Sequence, residues 1–474
     1  MDPLQRLRAQ GAMIDRLVAD SRRCAPGAAF FAYPGEKADG RAHIADALAR
    51  GAAAVLWDEA GFAWRDEWRV PNVAVPKLKQ RAGELASVFH AQPSHSLWMC
   101  GVTGTNGKTS CSQWIAAALS RQGAKSAVIG TLGSGYPGNL TDSGNTTPDA
   151  LELQAMLARF RKDGARAVAM EVSSHGLVQG RVNGVRFGCA LFTNLSQDHL
   201  DFHGTMERYA EAKALLFRFA GLQTAVLNLD DSFGAELARR LRGHVRTIGY
   251  TLGAVSAPVD EALCLNSAME LSYGSATGKL ATRQVGRFNL SNVLGVIGCL
   301  LAYGVSLADA LRLATELPSV AGRMERVGER PLVIVDYAHT PDALDKVLQT
   351  LRPVADERGG RLAVVFGAGG DRDPAKRPLM GEAAARHADR VVITSDNPRS
   401  EEPMRIIEAV AAGAGAGARL EADRRRAIEA AVLEAAPQDV VLIAGKGHES
   451  YQEIAGRRLP FSDQDVARAA LGKR

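Results

Sequence analysis

The sequence predicts an α/β protein of three domains: a small N-terminal α/β domain over residues 1–96, a central P-loop ATPase-type parallel-sheet domain over 97–320, and a C-terminal Rossmann-like α/β domain over 321–474. Three observations lead there. Short apolar runs alternate with helical stretches along the whole chain, the pattern of strands connected by crossover helices. One apolar run ends at Gly101 in a glycine-rich segment closed by Lys108-Thr109. The length of 474 residues is enough for about two to four domains, and 46% hydrophobic with 23% charged residues is ordinary for a folded chain.

In the first domain, residues 1–17 read as a short amphipathic helix. They lack the apolar stretch and cleavage site of a secretory signal, and no run approaches the ~20 apolar residues of a membrane span. A cytoplasmic protein is expected. Strands are predicted over 29–33, 53–57 and 72–75, with a helix over 44–50 and a turn-rich boundary at 91–96. In the second domain, a strand over 97–102 runs through the glycine-rich turn into a helix from Thr109. Strands over 126–129, 167–172, 189–193 and 225–229 and a helix over 206–219 follow. In the third, strands over 332–336, 362–366, 391–394 and 440–444 alternate with helices over 341–351, 377–387 and 403–412. No short internal repeat signals a solenoid.

The net charge of +5 is thinly spread. No dense Lys/Arg tract carries interleaved aromatics, so nucleic acid is not implied; the bias suits anionic small molecules. Six cysteines are scattered without a C-x-x-C pair. They read as buried thiols in a reducing compartment, not as disulfides or a zinc site.

Gly101-Val-Thr-Gly-Thr-Asn-Gly-Lys-Thr109 has the order strand, glycine turn, Lys-Thr, helix. Backbone N–H groups and a helix N-terminus would face phosphates. Lys108 would neutralise them and the Thr109 hydroxyl would reach Mg²⁺. The general pattern G-x-x-x-x-G-K-[ST] asks for glycine at 102, where this chain has Val102; Gly104 and Gly107 carry a narrower variant.

Glu171 ends an apolar strand, where a carboxylate points into the ligand crevice of a parallel sheet; a solvated strand end is the alternative. Asp198, His199, Asp201 and His203 crowd the end of the next strand. His199 is the candidate ligand, and a hydrogen-bonded structural role is the alternative, more so for His203. On the predicted helix, Lys213 has Tyr209, Ala210, Leu216 and Phe217 as its i±3 and i±4 neighbours, so it faces inward. A buried lysine favours the neutral amine, which can take up CO₂ as a carbamate, an oxygen ligand for Mg²⁺. A snorkelling lysine with a wet tip is the alternative.

Thr103-Gly-Thr-Asn-Gly-Lys-Thr109, Glu171-Val-Ser-Ser-His175, Asp198-His-Leu-Asp-Phe-His203, the Tyr209 to Phe217 segment, Gly286-Arg-Phe-Asn-Leu-Ser-Asn292, Gly322-Arg-Met-Glu325 and Asp336-Tyr-Ala-His-Thr-Pro341 occur in that order. Together with Asp20-Ser-Arg22 and Gly35 to Gly40, this ordered set resembles the Mur ligases over nearly the whole chain. The resemblance implies ATP contacts from Gly104, Thr105, Asn106, Gly107, Lys108, Thr109 and Ser110. It adds Asn289 and Asn292 on the nucleotide side, with Arg323 and Asp336 from the hinge and C-terminal domain. It implies Mg²⁺ on Thr109 and Glu171 and a second Mg²⁺ on His199 and carbamylated Lys213. Asn145, Thr146, Thr147, Ser173, Gln179 and Arg181 resemble the segment that holds a muramoyl-peptide, and Ser21, Glu36, Lys37 and Ala38 the uridine site. Lys108, Lys213, His199, Glu171 and Arg323 are thus the expected catalytic set, in a chain expected to act as a monomer.

Three loops end C-terminal strands: Gly367 to Asp373, Ser395 to Arg399 and Ala444 to Glu449. In an open parallel sheet such loops converge on one crevice. The first mimics a dinucleotide loop, but Arg372 stands where the third glycine belongs, so NAD is rejected. Arginine binds carboxylate in bidentate fashion and acidic groups bind ammonium, which matches an amino acid with a second zwitterionic end. Asp396-Asn397-Pro398-Arg399 resembles the meso-diaminopimelate-adding members of the family, so Arg372, Asp396, Asn397, Pro398, Arg399, Gly445 and Glu449 are expected around that substrate. A lysine-adding relative is the runner-up. A folylpolyglutamate synthetase would not need the N-terminal domain. A P-loop NTPase switch leaves the three C-terminal loops unexplained, and a simple nucleotide-binding module needs neither Lys213 nor His199.

Overall fold

In this computed structural model, residues 2–36, 38–142, 144–284 and 286–474 are described, so Lys37 lies outside the described residues. The strands form three principal sheets and a small hairpin. The α/β class and the parallel sheets in successive parts of the chain are those predicted.

The first sheet is parallel, in the order Arg16–Val18, Ala28–Ala32, Ala54–Trp57, Asn72–Ala74. The helix expected over 1–17 is corrected here: it spans only Pro3–Ala9. Gly11 turns the chain at φ +89°, a conformation glycine adopts without penalty. Arg16–Val18 then pairs with Ala28–Ala32. Three residues carry too little periodicity to betray a strand; the partner decides it.

The central sheet has eleven strands. Its middle is parallel, and Trp98–Thr103 lies between Cys189–Phe192 and Ala167–Glu171. The glycine loop therefore leaves the sheet's centre, beside the ends of both neighbours. Hairpins extend both edges through Gly133–Tyr136, Asn139–Thr141, Glu270–Tyr273 and Ala276–Lys279. These short, half-exposed strands have little apolar alternation of their own and are held by the edges they join. Lys108–Arg121 and Arg287–Tyr303 pack together in one continuous core. The helix predicted over 206–219 is α-helical only through Met206–Ala214, then tightens to a 3₁₀ turn, Leu215–Arg218.

The last sheet runs Glu325–Glu329, Leu332–Asp336, Val440–Ala444, Leu362–Phe366, Arg390–Thr394, Arg419–Glu421. Only Glu325–Glu329 is antiparallel to its neighbour. Its three middle strands are buried at every position, which is why they were legible as unbroken apolar runs. Helix Pro341–Glu357 outruns its predicted end at 351, since Val347, Leu348, Leu351 and Ala355 continue one buried face past Pro353. No helix among the described residues is long and apolar enough to cross a membrane.

Candidate functional site

The glycine loop is held by close approach. Gly104 (φ +146°) and Gly107 (φ +86°) would bring a Cβ within 1.9 Å of the Thr193 hydroxyl and 2.5 Å of Asn292 Oδ1. Asn194 braces the loop from the neighbouring strand end: its carbonyl accepts from Thr105 N at 2.8 Å and its Oδ1 from Asn106 N at 3.0 Å. The half-buried Lys108 amine donates to the carbonyls of Gly104 and Thr105, each at 2.8 Å. Burial pushes its pKa down, against the pull of Glu171.

Glu171 is fully buried at the end of its strand. Its Oε1 accepts from Thr131 N at 2.8 Å, and its Oε2 from the hydroxyls of Thr109 and Thr131, both at 3.0 Å. Gly130 makes room, since a Cβ there would lie 2.2 Å from Oε1. The Thr109 hydroxyl also accepts from Arg323 Nη2 at 3.0 Å, and the Arg323 guanidinium lies 4.2 Å over the Tyr337 ring. One threonine thus joins the phosphate loop, the strand-end carboxylate and the hinge arginine. Asp336 lines the same cavity, but its oxygens brace the hinge, accepting from Met324 N at 2.7 Å and Ala338 N at 2.8 Å.

Lys213 is 1% exposed, which answers the snorkelling alternative: the amine is not in water. Nζ donates to the Gly104 carbonyl at 2.9 Å and sits 4.1 Å from the Tyr209 ring. Burial, and then the Lys108 charge, push its pKa well below the ordinary lysine value. His199 adopts φ +54°, its N–H donating to Asp198 Oδ1 at 2.9 Å. Its ring stands edge-on to His175 at 4.8 Å, and burial pushes its pKa down to about 3. His203 Nε2 lies 2.9 Å from the Ser174 hydroxyl, a satisfied buried pair. A cavity of about 270 Å³ collects Thr105 to Ser110, Glu171, His199 and Lys213 with Asn289, Asn292 and Arg323.

A chain of hydrogen bonds runs from Glu171 toward the N-terminal sheet. The Thr147 hydroxyl donates to the Glu171 carbonyl at 3.0 Å and lies 3.1 Å from the Ser173 hydroxyl. Arg181 donates to the Thr147 carbonyl at 2.8 Å and to Gln179 Oε1 at 2.6 Å. Gln179 donates to the Glu36 carboxylate. The Thr146 hydroxyl lies 3.0 Å from that of Thr131, one residue beyond Asn145. Ser21 and Ala38 are outside this chain: Ser21 opens a 3₁₀ turn, and the Ala38 carbonyl accepts from Gly35 N at 2.9 Å.

A second cavity, of about 320 Å³, is lined by Arg372, Asp396, Asn397, Arg399, Gly445 and Glu449. It shares Asp198, His199, Tyr337 and His339 with the first, so the two adjoin. Pro398 does not line it; its carbonyl accepts from Glu401 N at 3.0 Å, so the ring shapes the turn that presents Arg399. Fully buried Lys446 donates to Asn397 Oδ1 at 3.0 Å and Glu449 Oε2 at 2.7 Å. Gly445 has no alternative, with φ +114° and a would-be Cβ 2.5 Å from Asp396 Oδ2.

Comparisons with known proteins meet this geometry. Residues 102–300 match the profile described as Mur ligase middle domain, 322–447 that of the Mur ligase glutamate ligase domain, and 13–90 that of the Mur ligase family catalytic domain. The chain belongs to the Mur ligase family. This Mur ligase is 52% identical, over 98% of its length and 96% of the relative's, to the UDP-N-acetylmuramoyl-L-alanyl-D-glutamate–2,6-diaminopimelate ligase of Chromobacterium violaceum. It is 49% identical to the enzyme of that name from Pseudomonas aeruginosa, covering 97% and 95%. A solved structure of a ligase of that name superposes with TM-score 0.67 at 38% identity, covering 97% of this chain and 95% of the other. A folylpolyglutamate synthase/dihydrofolate synthase structure shares the fold at TM-score 0.62 and 20% identity, but covers 77% of this chain. Family members are ATP-dependent amide-bond ligases.

Reading the sequence of this Mur ligase missed several groups at the site. Thr131 follows a strand with no motif around it, yet binds both oxygens of Glu171. Tyr337 and His339 stood inside a quoted motif without a role, and both line the junction of the cavities. Lys376 donates to the His339 carbonyl at 3.2 Å and faces the second cavity. Lys446, between two glycines after an apolar strand, carried the only usable signal.

Proposed function

We propose that this Mur ligase adds meso-2,6-diaminopimelate to UDP-N-acetylmuramoyl-L-alanyl-D-glutamate at the expense of ATP, in peptidoglycan precursor synthesis, acting as a cytoplasmic monomer. The carrying observation is that the two cavities share a wall: the phosphate loop lines the first, and Arg372 and Arg399 line the second. A carboxylate oxygen of the D-glutamyl residue attacks the γ-phosphorus, the bond to ADP breaks, and an acyl phosphate forms. The diaminopimelate amine attacks its carbonyl carbon, and the tetrahedral adduct expels phosphate, leaving the amide and a released proton. The chain positions and neutralises. Lys108 and Arg323 face the phosphates; Thr146, Thr147, Ser173, Gln179 and Arg181 hold the acceptor, with the uridine toward Ser21 and Glu36. Arg372 and Arg399 take substrate carboxylates, and Asp396, Asn397 and Glu449 its ammonium.

The oxygens of Glu171 and Thr109 suit a hard cation. They would hold one Mg²⁺, and His199 with a carbamate on Lys213 a second; bound there, Mg²⁺ supplies charge neutralisation at the phosphoryl group. The carbamate reading is supported by a Lys213 amine that is out of water and pushed toward its neutral form.

The test is phosphate release from ATP with the UDP-linked dipeptide present, adding meso-diaminopimelate or L-lysine in parallel. Turnover with diaminopimelate alone is expected. Turnover with lysine instead overturns the substrate reading, and turnover indifferent to both overturns the ligase reading.

A further inference from the structure

Two of the loops that line the second cavity leave strands that do not pair with each other. Arg390–Thr394 and Val440–Ala444 are separated in the sheet by Leu362–Phe366. The loops meet directly through Lys446, Asn397 and Glu449, and one side chain beneath them bridges the two strand ends. Arg424 Nη1 donates to the Ser395 carbonyl at 3.2 Å, and Nη2 to the Ala444 carbonyl at 2.9 Å. Nε and Nη2 also close a bidentate pair with Asp463, at 2.8 and 2.7 Å. Both side chains are fully buried.

Stability alone is a poor reason for this arrangement. Arg424 is the first residue of helix Arg424–Glu434, where the positive end of the helix dipole disfavours a cation. Taking an ion pair out of water is costly, and well-packed apolar residues of similar volume often do as well or better. What apolar residues cannot do is hold two carbonyls at a fixed separation. The residues that follow those carbonyls are Asp396, Asn397 and Arg399 on one loop, Gly445 and Glu449 on the other. The counter-ion's helix supports the same loop a second time, because Gln464 Nε2 donates to the Gly447 carbonyl at 2.9 Å.

We propose that Arg424, with Asp463 as its counter-ion, is a positioning residue for the incoming amino acid: it sets the spacing of the two loops on which that pocket is built. Neither residue lines the cavity; Arg424 acts through the carbonyls of Ser395 and Ala444, which directly precede the lining residues Asp396 and Gly445. The inference rests on the second cavity being the amino-acid pocket.

The test is the double variant Arg424→Met/Asp463→Leu, which leaves no uncompensated buried charge. Thermal melts are run first, and KM is then measured separately for diaminopimelate, ATP and the UDP-linked acceptor. The expected result is a folded protein whose KM for diaminopimelate rises roughly 10- to 100-fold, as a displacement near 1 Å would cause. The other two KM values stay within about twofold. Arg424→Lys, which keeps Asp463 paired but has no planar fork to span two carbonyls, falls between wild type and the double variant. It carries the test if the double variant does not fold. A folded double variant with an unchanged KM for diaminopimelate overturns the proposal, as does an equal rise in all three KM values. If the wild type uses L-lysine instead, the substrate reading fails separately, and the same split measured with lysine decides the role of Arg424.

Discussion

Replacing Glu171 by glutamine separates what the carboxylate does for the fold from what it does for the reaction. Glu171 accepts three hydrogen bonds, one from a backbone N–H and two from the Thr109 and Thr131 hydroxyls. Glutamine has the same shape. Its carbonyl replaces Oε1 and keeps the bond from Thr131 N, while its amide nitrogen faces two hydroxyls that can rotate to accept. Three charge-assisted bonds become neutral, at about 1 kcal/mol each. Removing a charge from a fully buried position offsets part of that, so folding should weaken by at most about 3 kcal/mol. The reaction loses more. A neutral amide gives no charge to a divalent cation beside a polyphosphate, and kcat should fall roughly 10³-fold, about 4 kcal/mol in the barrier. The assay is phosphate release across a Mg²⁺ titration, beside thermal melts followed by circular dichroism. The expected variant is folded, slow, and needs more Mg²⁺. A folded variant that turns over within about tenfold of wild type at the same Mg²⁺ would refute the metal-holding role of Glu171.

Other outcomes follow from the same geometry. Arg399→Ala removes a guanidinium that lines the second cavity and should raise KM for diaminopimelate roughly 100-fold; an unchanged KM would move the substrate's distal carboxylate elsewhere. Lys213 sits well below its ordinary pKa, through burial and the Lys108 charge, so the unfolded chain binds the extra proton between that lowered value and about 10.4. Its penalty on folding therefore shrinks as pH rises through that window. In bicarbonate-free buffer, Lys213→Met should melt about a few degrees above wild type at pH 7, with the gap closing toward pH 10; a gap that widens with pH would refute this. Bicarbonate should raise the activity of wild type, while Lys213→Met stays inactive with or without it. Asp342 accepts from Asn106 Nδ2 at 3.4 Å across the two larger sheets; Asp342→Ala should lower turnover roughly threefold with little change in melting temperature, and a large thermal loss would show a folding role instead.

Legibility varied with the physical origin of each feature. Leu332–Asp336, Leu362–Phe366 and Val440–Ala444 were read to the residue, because strands buried on both faces are continuous apolar runs. Arg16–Val18 and the edge hairpins were not, since their stability comes from a neighbouring strand. Gly104, Gly107, Lys108 and Thr109 stood out because a phosphate loop is local in sequence. Thr131, Lys376 and Arg424 did not, because each acts on groups 20 to 40 positions away.

The sequence by itself determined the α/β class, the phosphate loop, the inward face of Lys213 and the set of loops carrying Arg372 and Arg399, all of which rest on spacing over a few turns or one strand. The tertiary structure alone decided that Thr109 joins Glu171 to Arg323, that Asp336 braces the hinge, that Pro398 shapes a turn, and that both cavities meet at Asp198, His199, Tyr337 and His339. Those are meetings between segments brought together by sheet order, and a one-dimensional pattern has no term for which strand ends lie side by side.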